Sequence, residues 1–490
     1  MQQSSENIEP LVSTGSHQLT RQLPRVIGWM IGVSTLFLFV CSSLRHILFR
    51  SGALDLGMFD QAVYLISQGK APISTLLDDI HMLGDHGAWM LYPLSLPYAV
   101  YPSVYWLLAI QAFALSLGAL PTWALARQAG LNQAQSTAMV AVYLLYPIIF
   151  TANWFDFHPE VIALSAILTA IWAARSNKIT WFIVAIIITL GCKEVMSLTV
   201  AAMGLWLLVF EKKRKFGAIA LITGIAWFFF STQILIPFFG GGEATGVERY
   251  SYLGNSSREI IINLFLKPWL ILGRIFSFNT LKHLTLLAIP VIWGLSPFHL
   301  APLIGALPTL LLNSLSDKGL QLSLFFHYSL PVLPFLLVAV ISSLTAGHTW
   351  FRNQRAIVLW SVGVLLAGIL TRLSPGQVKY DYVFDWNGWR STREAIAQVQ
   401  TKDGVLTTNE IAPHLSHRQM IRSLKDPSIG SADLNPFELA EVNYVLINQN
   451  NQSLRKVQDA ISQLMEQLKN DQQFQLSYQQ NKVYLFERKA

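Results

Sequence analysis

The feature that most restricts this chain is a succession of long apolar runs whose charged and histidine-bearing clusters fall at their ends. A bilayer core takes about 20 mostly apolar residues per helix, and backbone entering it has to satisfy its own hydrogen bonds. Candidate runs occupy 26–48, 104–126, 138–150, 161–174, 179–190, 195–210, 216–239, 284–295, 300–312, 324–344 and 356–370. That makes about eleven spans, several short enough to be partly embedded. Of the 490 residues, 52% are hydrophobic and only 13% charged, against about 25% charged in soluble domains. The pattern predicts a polytopic α-helical membrane protein.

The run at 26–48 is longer than the core of a signal peptide, about 7–15 residues, and no small-residue cleavage site follows it. It reads as an uncleaved first span. The two cysteines, Cys41 and Cys192, lie in or at the end of apolar runs and read as packed thiols rather than a disulfide. Basic residues in short loops tend to stay cytoplasmic. Glu211-Lys212-Lys213-Arg214-Lys215, with Arg21, Arg25, Arg127, Arg175, Lys178, Arg352 and Arg355, all fall inside if the N-terminus is cytoplasmic. Arg45, Arg50, Arg249, Arg258, Lys267, Arg274 and Lys282 then fall outside, the last five in a long loop where the rule is weak. The net charge of +7 follows from such flanks. With no aromatic-basic module, it points to the plasma membrane rather than to nucleic acid.

Three regions follow. Residues 1–22 are polar and predict a disordered cytoplasmic tail. Residues 23–373 form the membrane region, with outer loops at 49–102 and 240–280. Residues 374–490 predict a small extracytoplasmic α/β domain, with strands at 404–408, 442–447 and 483–487 and a helix over 453–468, apolar at Val457, Ile461, Leu464 and Leu468. A domain of that size can bury its own core.

The chemistry gathers on the expected outer face. Asp55 and Asp60 follow the first span; ionisable groups near a bilayer usually face a wet cavity or a partner. Asp55 either takes a proton from a hydroxyl acceptor or caps an interfacial helix running through Gln68; Asp60 reads as structural. Asp78, Asp79, His81, Asp85 and His86 follow in the same loop. Asp156, His158 and Glu160 sit in a turn too short to be a domain, where Pro159 and Glu160 suit a helix start. Asp55, Asp85, His86, Asp156 and His158 together offer ligands for a divalent cation such as magnesium or manganese, although loop Asp and His residues also commonly bond backbone and water. The adjacent charges Lys193-Glu194 have to be matched or wet. A glycine-rich loop from Gly240 through Glu243 leads to Arg249 and Arg258, whose guanidinium groups suit phosphate.

Asp55-Leu56-Gly57-Met58-Phe59-Asp60-Gln61, Gly84-Asp85-His86, the run Asn153 to Glu160, Lys193-Glu194, Tyr250 to Gly254, His327-Tyr328-Ser329 and Pro413 to Arg418 resemble, in order, the landmarks of a bacterial family of membrane proteins, domain of unknown function twenty seventy-nine. That family is similar to the GT-C superfamily of polytopic glycosyltransferases, which includes protein mannosyltransferases and aminoarabinose transferases. The resemblance implies a GT-C-like fold and transfer of a sugar from a polyprenyl-phosphate carrier to an acceptor on the non-cytoplasmic face. It matches Asp55 to the catalytic acidic position of those enzymes; the common Asp-Glu or Glu-Arg pair is absent, since Leu56 follows Asp55. The expected site therefore has Asp55 as base and Asp60, Asp85, His86, Asp156, His158, Glu194 and His327 lining a cavity. Lys193, Arg249 and Arg258 are the expected phosphate partners. A transporter would instead show charges or broken helices at mid-membrane and inverted repeats, and a non-catalytic scaffold could keep the fold alone.

Overall fold

The computed structural model describes residues 24–242, 246–372, 385–399, 402–424, 439–450 and 458–489. The tail at 1–22, Glu243 and the helix start at 453–457 lie outside the described residues. Among the described residues, five helices are long and apolar enough to cross a membrane: Arg25–Ile47, Tyr105–Gln128, Gln133–Phe155, Arg214–Gly240 and His327–Thr345. Pro268–Ile275 and Phe278–Gly294, bent by 49° at their break, add a sixth if counted as one span. The other expected runs form shorter helices, among them Ile179–Cys192 and Met196–Val209. At 1.5 Å per residue, 14 residues reach about 21 Å, short of a 30 Å hydrocarbon core.

Those shorter helices are held by close packing. A Cβ on Gly204 would fall 2.4 Å from the Leu221 amide, and one on Gly224 2.6 Å from that of Ala201. Met196–Val209 and Arg214–Phe230 therefore meet backbone to backbone, as small residues allow between membrane helices.

Beyond the first span the chain folds at once. A five-residue π-turn, Ala53–Gly57, runs into the helix Met58–Ser67. A short hairpin pairs β1 (Ile73–Ser74) with β2 (Ile80–His81), and the helix Met82–His86 follows. Near the C-terminus a five-stranded sheet comprises β3 (Val405–Thr408), β4 (Ile421–Leu424), β5 (Tyr444–Asn448), β6 (Phe474–Gln480) and β7 (Val483–Arg488), in the order β4-β3-β5-β7-β6. β3 runs parallel to β4 and β5, while β7 is antiparallel to β5 and β6.

The period-two alternation of these strands sorts their side chains into two cores. Leu406, Val445, Ile447 and Phe486 pack on the helix Gln458–Asn470 through Ile461, Leu464 and Leu468. Val405, Leu446 and Leu485 face the other way, into one cluster with Ala53, Leu56, Phe59 and Leu76 of the first outer loop. The expected self-sufficient core therefore holds for one face of the sheet only. The other is completed by the loop that follows the first span.

Candidate active site

Asp55 sits in the π-turn, a backbone form often found at functional sites. It caps no helix: Met58–Ser67 has Gly57 at its N-cap and no side-chain cap there. Its side chain keeps 28% exposure, and Oδ1 lies 3.2 Å from His158 Nε2. The turn carrying His158 is fixed from several sides. Gln111 donates through Nε2 to the Asn153 carbonyl and accepts the His158 N–H at Oε1, both at 3.3 Å. Asp156 ends the helix Pro147–Phe155 at φ 128°, a conformation that strains a non-glycine residue. It is held there by an ion pair with Arg45 and by the Gly52 N–H, which donates to Oδ2 at 2.9 Å. Burial, opposed by Arg45 and reinforced by Asp55, pushes the Asp156 carboxyl up to about 6. Arg45, an exception to the charge rule in the sequence, is thus the partner of a buried carboxylate.

From His158 the polar line runs inward. The His158 and His327 rings stack at 3.7 Å. His327 Nε2 lies 3.4 Å from Glu160 Oε1, and the same oxygen lies 3.0 Å from Lys193 Nζ. Glu160 is therefore more than a first-turn residue: it is buried and joins a histidine and a lysine contributed by two other helix ends. Pro159 does start its helix as expected. Burial pushes the Lys193 ammonium down, yet Glu160 and Glu194 outweigh burial and Arg249 and hold its pKa above the ordinary value.

A second group lies beside this line. His86 Nδ1 is 3.4 Å from Glu194 Oε2, and His86 Nε2 is 3.5 Å from Asp85 Oδ2. The Glu194 N–H donates to the His86 carbonyl at 3.1 Å, and the Met90 N–H to that of Gly191 at 3.0 Å. Gly84 packs on Gly240 so tightly that a Cβ would lie 2.4 Å from the Gly240 amide. This contact brings the glycine-rich loop to the first outer loop.

Of the expected phosphate partners, Lys193 is committed to Glu160 on one side, and Arg249 lies 5.9 Å from the Tyr328 ring centroid. Arg249 acts electrostatically on Lys193, which places both cations on one part of the site. Arg258 is exposed on the first turn of Ser257–Leu266. Tyr250 and Tyr252 donate to the Leu312 and Leu315 carbonyls, fixing the Arg249 segment over a helix end.

The five residues expected as one ligand set divide. Asp55, Asp156 and His158 belong to one group, and Asp85 and His86 to the other. Among the described residues no group of three or more His, Cys, Asp or Glu side chains is arranged to hold a metal ion.

Asp60, expected to line the cavity, points elsewhere. It accepts from Tyr98 and from Ser416 of the C-terminal domain, and lies 3.0 Å from His417 Nε2. Being 1% exposed, it is a joint between domains. Asp79 likewise meets Arg422 at 2.7 Å, and His81 caps Met82–His86 by accepting the Leu83 N–H at 3.2 Å. Sequence reasoning missed Gln111, Arg45 as a site residue, and Asn409, whose Oδ1 accepts the Ala53 N–H at 3.0 Å.

The family described as "Predicted membrane protein (DUF2079)" matches residues 45–485. The chain belongs to this family. No curated protein matches it in sequence. In structure it is similar to ArnT from Cupriavidus metallidurans bound to undecaprenyl phosphate, with TM-score 0.58, 13% identity, and coverage of 95% of this chain and 98% of that one. It is also similar to the same protein in the apo state, with TM-score 0.50, 12% identity, and coverage of 94% and 98%. The GT-C-like fold of membrane helices with a small C-terminal sheet domain is thus shown along nearly the whole chain.

Proposed function

We propose that this protein is a membrane glycosyltransferase of the GT-C type, moving a sugar from a polyprenyl-phosphate carrier to a hydroxyl acceptor on the extracytoplasmic face. The observation that carries the reading is a partly exposed carboxylate, Asp55, paired with a buried histidine within a polar line that ends on two cations, Lys193 and Arg249. A carboxylate open to one side can reach an acceptor. Cations in the same site can meet a phosphate.

The reaction is a single inverting displacement. Asp55 takes the acceptor hydroxyl proton as the oxygen attacks the anomeric carbon. The bond from that carbon to the phosphate oxygen breaks, and polyprenyl phosphate leaves with the electron pair. Arg249 stabilises the charge developing on it, and Lys193 adds its field; one such preorganised group is commonly worth about 10²–10³ in rate. His158, stacked on His327, orients Asp55. The lipid tail lies against the apolar outer surface, where Phe265, Trp269, Phe276 and Phe278 are 81%, 65%, 67% and 79% exposed beside Lys267 and Arg274, as suits an interfacial segment meeting anionic headgroups.

The N-terminus faces the cytoplasm and the C-terminal domain the outside. A cysteine at the exposed Lys212 is then labelled only from the cytoplasmic side; labelling from the outside reverses the topology. Incubating purified protein in lipid with a panel of polyprenyl-phosphate sugars is expected to release sugar from at least one, with inverted anomeric configuration when an acceptor is present. Retention of configuration contradicts a single displacement.

A further inference from the structure

The base of the proposed site is held by the C-terminal domain as well as by the membrane domain. Asn409 follows the end of β3 at the centre of the parallel strands. Its Oδ1 accepts the Ala53 N–H at 3.0 Å, in the turn that carries Asp55. Because that N–H needs an acceptor, the oxygen faces it and the amide nitrogen points the other way. A Cβ built on Gly52 would stand 3.7 Å from each of Asn409 Nδ2, Asp55 Oδ2 and Asp156 Oδ2. The Asn409 amide nitrogen and one oxygen of each carboxylate therefore stand around a single point beside Gly52.

The contact continues on both sides of Asn409. Gly57, closing the π-turn, lies where a Cβ would be 3.5 Å from Pro413 Cγ. Next in the chain, Asp60 accepts from Ser416, and Gln61 Nε2 donates to the Arg418 and Gln419 carbonyls, both at 3.2 Å. The shared apolar core lies behind these bonds.

We propose that Asn409 is a positioning residue for Asp55. Through Oδ1 it fixes the turn that carries the base, and through Nδ2 it offers a donor to the facing carboxylates. The site is complete only when the C-terminal domain is docked. This rests on the reading of Asp55 as the base. The charged groups that face Asp55 are His158 and Asp156, with Arg45 behind Asp156, and the Asn409 amide adds a neutral donor beside them.

The test compares Asn409→Ala and Asn409→Asp in the full-length protein in lipid, by amide exchange of residues 53–57 and by the pH profile of sugar release. Asn409→Ala is expected to speed exchange at 53–57 about tenfold, the loss of roughly one hydrogen bond, with the protection of β5 unchanged. It is expected to lower kcat about 10–100-fold at unchanged KM for the lipid-linked donor. Asn409→Asp keeps an acceptor for Ala53, so exchange stays near wild type. Its added carboxylate is expected to move the acid limb of kcat/KM up by about one pH unit. Unchanged exchange in Asn409→Ala, or a wild-type pH profile in Asn409→Asp, overturns the assignment. If the wild type releases no sugar from any donor, the reading of the function fails, while the exchange measurement still decides whether Asn409 holds the turn.

Discussion

The ion pair between Lys193 and Glu160 allows a quantitative prediction. Its atoms are 3.0 Å apart, with side-chain exposures of only 11% and 5%. At an effective dielectric near 20, unit charges at that distance attract by about 5.5 kcal/mol before desolvation is subtracted. Removing one partner leaves the other charge buried, which costs about 3–5 kcal/mol. In Glu160→Gln, Lys193 is left beside Arg249 with Glu194 as counter-charge; in Lys193→Met, Glu160 keeps only the imidazoles of His327 and His158. Each single variant is therefore expected to lose about 3 kcal/mol or more of unfolding free energy. The double variant, a neutral pair of similar volume, is expected to lose less than the sum by about 3 kcal/mol. Denaturant titration in mixed micelles measures this cycle. Singles that each cost under about 1 kcal/mol and add to within about 0.5 kcal/mol would refute the buried pair. The same double variant isolates the role of Lys193 toward phosphate: it is expected to regain stability and not turnover.

Two further perturbations follow from the geometry. Folding raises the Asp156 pKa from 3.8 to about 6; a raised acid contributes stability below its unfolded pKa and loses it as pH rises through the folded one. Unfolding curves are thus expected to show stability falling between about pH 4 and 6 by up to about 3 kcal/mol, a fall absent from Asp156→Asn; the same pH dependence in both proteins counts against this burial. Gly84→Ala places a Cβ 2.4 Å from the Gly240 amide, a backbone contact with no flexible side chain to yield. It is expected to destabilise by several kcal/mol, as overpacking typically costs about 1–3 and occasionally more, and to lower the yield of folded protein; a wild-type melting profile excludes the close approach.

What was legible in the sequence was whatever one stretch of chain determines. The apolar runs at 26–48 and 104–126 became the helices Arg25–Ile47 and Tyr105–Gln128, and the strands expected at 404–408 and 483–487 became β3 and β7. Alternation and helical period are local signals, so they survive without tertiary information. The site also drew on residues already singled out, Asp55, Asp156, His158, Lys193 and His327, because charge beside an apolar run is itself informative. What failed was pairing over distance. Glu160 looked explained by its helix start, and nothing nearby revealed Lys193 or His327 as its partners. Asp60 read as structural, but nothing beside it in the chain revealed that five residues of π-turn and helix turn it to Ser416 and His417. Asn409, an uncharged residue after a short strand, carried no signal until the sheet met the first outer loop.

The central claim is that Asp55 is the base of a sugar transfer from a polyprenyl-phosphate donor. The direct measurement is the single-turnover rate of sugar transfer by wild type and Asp55→Asn, on the donor from the panel that the wild type uses. Asparagine keeps the shape and cannot accept the proton, so the rate is expected to fall by about 10²–10⁴ while donor binding stays within about twofold. Asp55→Asn transferring sugar at the wild-type rate would contradict the account.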